Sequence, residues 1–141
     1  MAKLDKIPQA VWDKAEKEGF LRDDVKAAAK LDRSRDNIPC DCYVLLRGTE
    51  LLFLSGINVL KKRRKKVPGG IPLEVEYKSL SCEKLDIFGW RDFEVEQQIS
   101  GCIIFAKNDF GPVIVTRISN SVFDEAKDLC FEINLALGCA N

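Results

Sequence analysis

Cys102-Ile103-Ile104-Phe105-Ala106, then Asn108-Asp109-Phe110-Gly111-Pro112, then Val113-Ile114-Val115-Thr116, lead through Arg117-Ile118-Ser119-Asn120-Ser121 into an amphipathic run that reaches Asn141. Two β-branched, apolar runs flank a break of turn-forming residues. Asp tolerates tight dihedrals and Gly takes those closed to other residues, so the stretch predicts a hairpin. Beyond it, Val122, Ala126, Leu129, Cys130, Ile133 and Leu137 recur at spacings of three and four, which places them on one helix face. Glu125, Lys127, Asp128, Glu132 and Asn134 are expected to face away. Ser121 with Asp124 resembles a capping box, and Gly138 sits where a left-handed C-terminal cap belongs. Two strands feeding a closing helix predict an α+β domain whose helix lies over the open end of a bent sheet.

Working back from this ending, Phe93-Glu94-Val95-Glu96 alternates, and Gly89-Trp90 turns the chain ahead of it. Leu73, Val75 and Tyr77 alternate with Glu74, Glu76 and Lys78 as a half-buried strand, a pattern that Leu85-Asp86-Ile87 repeats briefly. Cys40 to Arg47 reads as a strand with Cys40, Cys42, Val44 and Leu46 on one side. Gly48-Thr49-Glu50 turns it into Leu51-Leu52-Phe53-Leu54 and a strand reaching about Val59. Residues 24–32 are ambiguous: Ala27-Ala28-Ala29 favours helix by propensity, while Val25, Ala27, Ala29 and Leu31 carry the period of a strand. Arg33 to Pro39 is a turn-rich connector. At the start, Ile7-Pro8, Val11, Trp12 and Ala15 form a short helix over residues 7–18, stopped near Gly19 and packed through Trp12.

The chain of 141 residues suits one domain, and 46% hydrophobic with 31% charged residues is ordinary for a fold with a real core and argues against disorder. It opens with no secretory pattern and contains no run of eighteen apolar residues, so a cytoplasmic protein is expected. Formal net charge is zero, but Lys61, Lys62, Arg63, Arg64, Lys65 and Lys66 supply six of the 22 basic residues. The other 16 face 22 acidic residues, a balance of −6 (16 minus 22). One concentrated basic run without aromatics between the charges argues against nucleic acid as a partner. It does fit an anionic membrane surface, where each Lys or Arg contributes about 1 kcal/mol.

The chain carries no histidine, which removes the Ser-His and Cys-His dyads. It has no Gly-x-x-x-x-Gly-Lys-Ser/Thr loop to cradle nucleotide phosphates. Asp23-Asp24 is expected at a solvated surface. Cys40, Cys42, Cys82, Cys102, Cys130 and Cys139 are mostly set in apolar segments, where free thiols behave as small hydrophobes. No catalytic residue, cofactor or metal site is expected. A nucleophilic Cys40 or Cys42 activated by Arg35 is kept as a hypothesis for thiol reactivity to test.

Several segments together resemble the N-terminal pleckstrin-homology-like (PH-like) domain of some bacterial ABC exporters, the ATP-binding/permease proteins. They are the Ile7-Pro8 helix, Lys30-Leu31-Asp32, Tyr43-Val44-Leu45-Leu46, Leu51-Leu52-Phe53-Leu54-Ser55-Gly56, Glu94-Val95-Glu96-Gln97-Gln98-Ile99-Ser100-Gly101, and Arg117-Ile118-Ser119-Asn120-Ser121. The resemblance implies a bent antiparallel sheet of about seven strands capped by a C-terminal helix. Residues 1–22 would form a helical segment packed on a domain spanning 23–138, with 139–141 a tail at which a longer parent chain continues. The basic run departs from the family's pattern.

On this resemblance the chain is a non-catalytic accessory or regulatory domain at the cytoplasmic face of the membrane. Its partners would be the transmembrane and nucleotide-binding domains of the same parent chain. Exporters of this kind work as dimers, so a homodimer is a further expectation. The alternative is a stand-alone PH-like module that binds anionic lipid or an acidic partner through residues 61–66.

Overall fold

The computed structural model describes Leu4, residues 6–58 and residues 77–138. Within them a short helix α1 (Gln9–Lys17) precedes seven strands and a closing helix. Strands β1 (Ala27–Arg33), β2 (Pro39–Arg47), β3 (Glu50–Asn58) and β4 (Tyr77–Asp86) form a four-stranded antiparallel sheet in chain order. Strands β5 (Arg91–Gln98), β6 (Gly101–Asn108) and β7 (Gly111–Ile118) form a three-stranded one, and α2 (Phe123–Ala136) follows. Among the described residues no helix is long and apolar enough to cross a membrane. The α+β expectation and the closing helix are borne out.

Residues 24–32 resolve in favour of period over propensity. Ala27, Ala29 and Leu31 enter the main core with Cys42, Val44, Leu46, Leu51 and Phe53, against the second sheet and α2. Ala28 faces the other way, into a second cluster with Val11, Trp12, Ala15, Tyr43, Leu45, Leu52 and Leu54. β2 and β3 are therefore buried on both faces, which is why they read as nearly continuous apolar runs. Trp12 anchors α1 in the second cluster, its indole N–H donating to the Leu4 carbonyl at 3.4 Å and the Arg22 guanidinium lying 5.6 Å from its ring.

The hairpin foreseen at residues 102–116 forms, with Asn108 paired to Gly111 around a two-residue loop, Asp109-Phe110. The Asn108 side chain accepts from the Phe110 N–H at 2.8 Å, and Asp109 pairs with Arg91 at 3.5 Å. Three details differ from the expectation. Leu85-Asp86 is the end of β4 and no separate strand, because β4 continues unbroken along β3. Ser121 does not cap α2: a 3-10 turn, Asn120–Val122, intervenes, and Ser119 caps that turn by accepting from the Ser121 N–H at 3.2 Å. Asn134 does not face away, since both ends of its amide are bonded to the backbone of Phe93. Gly138 does take the left-handed conformation, φ +76°. Residues 73–76, the first four of the expected Leu73–Lys78 strand, lie outside the described residues.

Side chains rather than a hydrogen-bond ladder join the two sheets beside β1 and β7. One extra residue on β2 opposes Asp32, because Leu31 pairs with Cys42 and Arg33 with Pro39. Asp32 accepts from the Ser119 backbone N–H at 3.1 Å, from the Ser119 hydroxyl, and from the Ser121 hydroxyl at 3.3 Å. A second bulge leaves Val115 unpaired between Ile114 and Thr116. Its carbonyl is taken up by Arg35 Nε at 2.8 Å, while the same guanidinium bonds Glu83 on β4 and lies 5.4 Å from the Phe53 ring.

Two stability tests follow from this packing. Burial raises the Asp32 pKa, but the Ser119 and Ser121 hydrogen bonds, with the Arg33 charge, outweigh it and hold the carboxyl below its ordinary 3.8. A carboxyl lowered on folding adds stability that is present above the unfolded value and is lost as pH falls through the folded one. Asp32→Asn should cost about 1–3 kcal/mol at neutral pH and flatten the acid limb of the stability curve, read by urea titration from neutral pH down to about pH 2. Thr116 is 3% exposed and its hydroxyl has no hydrogen-bond partner among the described residues. Thr116→Val, which removes an unpaired polar atom at nearly constant volume, should raise the urea midpoint by the equivalent of about 1 kcal/mol.

Candidate interaction site

The foreseen basic contact, Lys61 to Lys66, lies outside the described residues, between the end of β3 at Asn58 and the start of β4 at Tyr77. The cysteines are all free where described. Cys42, Cys102 and Cys130 are buried as expected, Cys40 is half-buried, and Cys82 is exposed on β4. Burial pushes the Cys42 thiol up to about 11 against a hydrogen bond from Ser55, and it is therefore protonated at neutral pH. Arg35, the presumed activator, is engaged by Glu83, Val115 and Phe53 instead. Asp23 and Asp24 are exposed in a 3-10 turn, Arg22–Asp24. No group of three His, Cys, Asp or Glu is placed to hold a metal ion among the described residues.

The feature with the geometry of a site is a groove between β5 and α2, about 730 Å³ in volume. Among the described residues β5 is an edge strand, paired only with β6 in its sheet. The closing helix runs antiparallel beside its outer side and is tied to it near its C-terminal end, while the 3-10 turn ahead of the helix makes the other tie. At one end the Gln97 amide donates to Asn120 Oδ1 at 3.4 Å. At the other, Asn134 Oδ1 accepts from the Phe93 N–H at 2.9 Å and Asn134 Nδ2 donates to the Phe93 carbonyl at 3.0 Å. Between these ties the walls are Glu94, Val95 and Glu96 on β5 and Phe123, Lys127 and Phe131 on α2, with Phe105 from β6.

The helix side follows from spacing. Phe123, Lys127 and Phe131 are separated by four, so they line one stripe beside the buried stripe of Ala126, Leu129, Cys130 and Ile133. Phe131, a large apolar side chain, keeps 62% of its surface exposed. The strand side follows from alternation. Phe93 is buried, while Glu94 and Glu96 are exposed and lie opposite Phe105 and Ile103 on β6. Cys130 sits at the groove's base, where burial and then the Glu94 carboxylate push its thiol up to about 12.

Sequence reading assigned Asn134 to the solvent side and passed over Phe131. The available signal was an apolar residue in the polar stripe of an otherwise regular helix, with an amide in its last turn. No family model, no curated protein and no solved structure matches the chain.

Exposure orders the thiols. Alkylation of the native protein, mapped by mass spectrometry, should modify Cys82 first and leave Cys42, Cys102 and Cys130 untouched until denaturant is added. Rapid modification of Cys42 in the folded protein would revive the nucleophile hypothesis.

Proposed function

We propose that this chain is a PH-like accessory domain that works by binding and not by catalysis. The carrying observation is the order of its elements, four antiparallel strands, then three, then a closing helix, with a groove left open beside an edge strand. A binding module needs a scaffold rigid enough to present such a surface, and a two-sheet core with a helix packed on it supplies that. What the groove offers is apolar surface from Phe105, Phe123 and Phe131 beside the charges of Glu94, Glu96 and Lys127, and the chain has no histidine.

The segments that resemble exporter domains support a place in a bacterial ABC transporter, at the cytoplasmic face beside its transmembrane and nucleotide-binding parts. Three of them, Tyr43–Leu46, Leu51–Gly56 and Glu94–Gly101, fall on β2, β3 and β5 with the turn that follows. Reading the coding sequence past Asn141 tests this context. The expected outcome is a continuation into several apolar spans of about twenty residues followed by a Gly-x-x-x-x-Gly-Lys-Ser/Thr loop. A stop codon within a few residues would overturn the exporter reading and favour a stand-alone module.

A further inference from the structure

We propose that the groove between β5 and α2 binds small organic cations with a bulky apolar body, holding the body among its phenylalanines and the charge beside its glutamates. The inference rests on the reading of the domain as a binding module and names a ligand class for that same groove.

Three elements bring the walls together. Phe105 comes from β6, Phe123 and Phe131 from α2, and Glu94 and Glu96 from β5, with Lys127 one helical turn from each of the two helix phenylalanines. Register explains the strand side: Phe105 is the cross-strand neighbour of Glu94, so ring and carboxylate share one face of the sheet. The hydrogen bonds at Phe93 and Gln97 fix α2 and the turn ahead of it against β5. The walls are thus in place before a ligand arrives, and little freedom is lost on binding. A volume of about 730 Å³ is that of a site for a small organic molecule.

Charge selects the ligand. Among the described residues neither Glu94, Glu96 nor Lys127 forms an ion pair, so the groove presents two carboxylates against one ammonium. The Glu94 charge is felt at the groove's base, where burial first and this carboxylate second push the Cys130 thiol up. A cation gains from both glutamates and from the negative faces of the three rings, while an anion of the same shape gains only the apolar contact. A metal ion is a poor occupant, because no group of three metal-ligating side chains is present among the described residues and phenylalanine offers no donor atom. The remaining match is an organic cation whose charge is spread and whose surface is largely apolar.

The test is an NMR titration of the isotope-labelled chain with two ions of nearly the same shape and opposite charge, tetraphenylphosphonium and tetraphenylborate. Tetraphenylphosphonium should give saturable shifts centred on the amides of Glu94, Glu96, Phe123 and Phe131, and tetraphenylborate should bind about tenfold more weakly. Glu94→Gln combined with Glu96→Gln should weaken phosphonium binding by about tenfold and close the gap between the two ions. Lys127→Gln, which removes a repulsion, should strengthen it by about twofold, and Phe131→Ser should weaken both ions. All four positions are exposed, so the variants should keep the urea midpoint of the parent chain. Equal affinity for the two ions, undiminished phosphonium binding by the double glutamine variant, or no saturable shift would each overturn the proposal. The exporter context is read from the coding sequence, so it stands or falls separately from this titration.

Discussion

Strands β2 and β3 carry apolar side chains on both faces, and water has to be kept from both. Val44, Leu46, Leu51 and Phe53 point into the space closed by the second sheet and α2, while Tyr43, Leu45, Leu52 and Leu54 point into the space closed by α1. One face alone would have suited a sheet exposed to solvent on its other side. The doubled demand makes α1 part of the fold and not an appendage. Without it, four large side chains on these two strands would be left uncovered, each worth about 1.5–3 kcal/mol on full burial. The same crowding explains the alanines of β1, which sit where small side chains fit on both sides.

A sheet arrangement held this way still has to satisfy its backbone where the ladders are interrupted. At each such place a side chain distant in sequence does it. Arg35 takes the carbonyl of the bulged Val115, Asp32 takes the N–H of Ser119 just past β7, and Asn134 takes both groups of Phe93 beside the β5 bulge. Buried or half-buried backbone groups left unpaired are costly, so these three residues stabilise the join between elements that share no strand pairing. They also rigidify it, because each bond has a fixed direction and spans two elements.

The periodic features were legible because burial selects them directly: the alternation of β5, the 102–116 hairpin, the buried stripe of α2 and the Trp12 anchor. The polar pins were not. Asn134 lies on the polar side of α2 by helical spacing, and only the position of β5 beside that side turns it inward. Ser121 matches a capping box by spacing from Asp124, yet Asp32 on β1 draws its hydroxyl away while Ser119 caps the intervening 3-10 turn. Cys82 stands in a strand but exposed on β4, and a strand pattern alone does not say which face is covered. Each miss comes from a contact between residues far apart in sequence, which local pattern cannot contain.

An edge strand is a hazard that proteins commonly blunt with charge, irregularity or a covering element. β5 shows all three: Glu94 and Glu96 on its exposed face, a bulge marked by Asp92 at φ +56°, and α2 alongside. The cover is incomplete, however, since α2 is hydrogen-bonded to the strand at Phe93, and the 3-10 turn ahead of it at Gln97, with a groove left between. A helix meant solely to hide the edge would bring its apolar stripe onto it. Here that stripe serves the core, while Phe131 is left half in water over the open edge. Glu94, Glu96 and Phe131, which line the groove from exposed positions, therefore contribute little to the core, and they can be changed without unfolding the domain, which is the condition for a surface to be tuned to a partner.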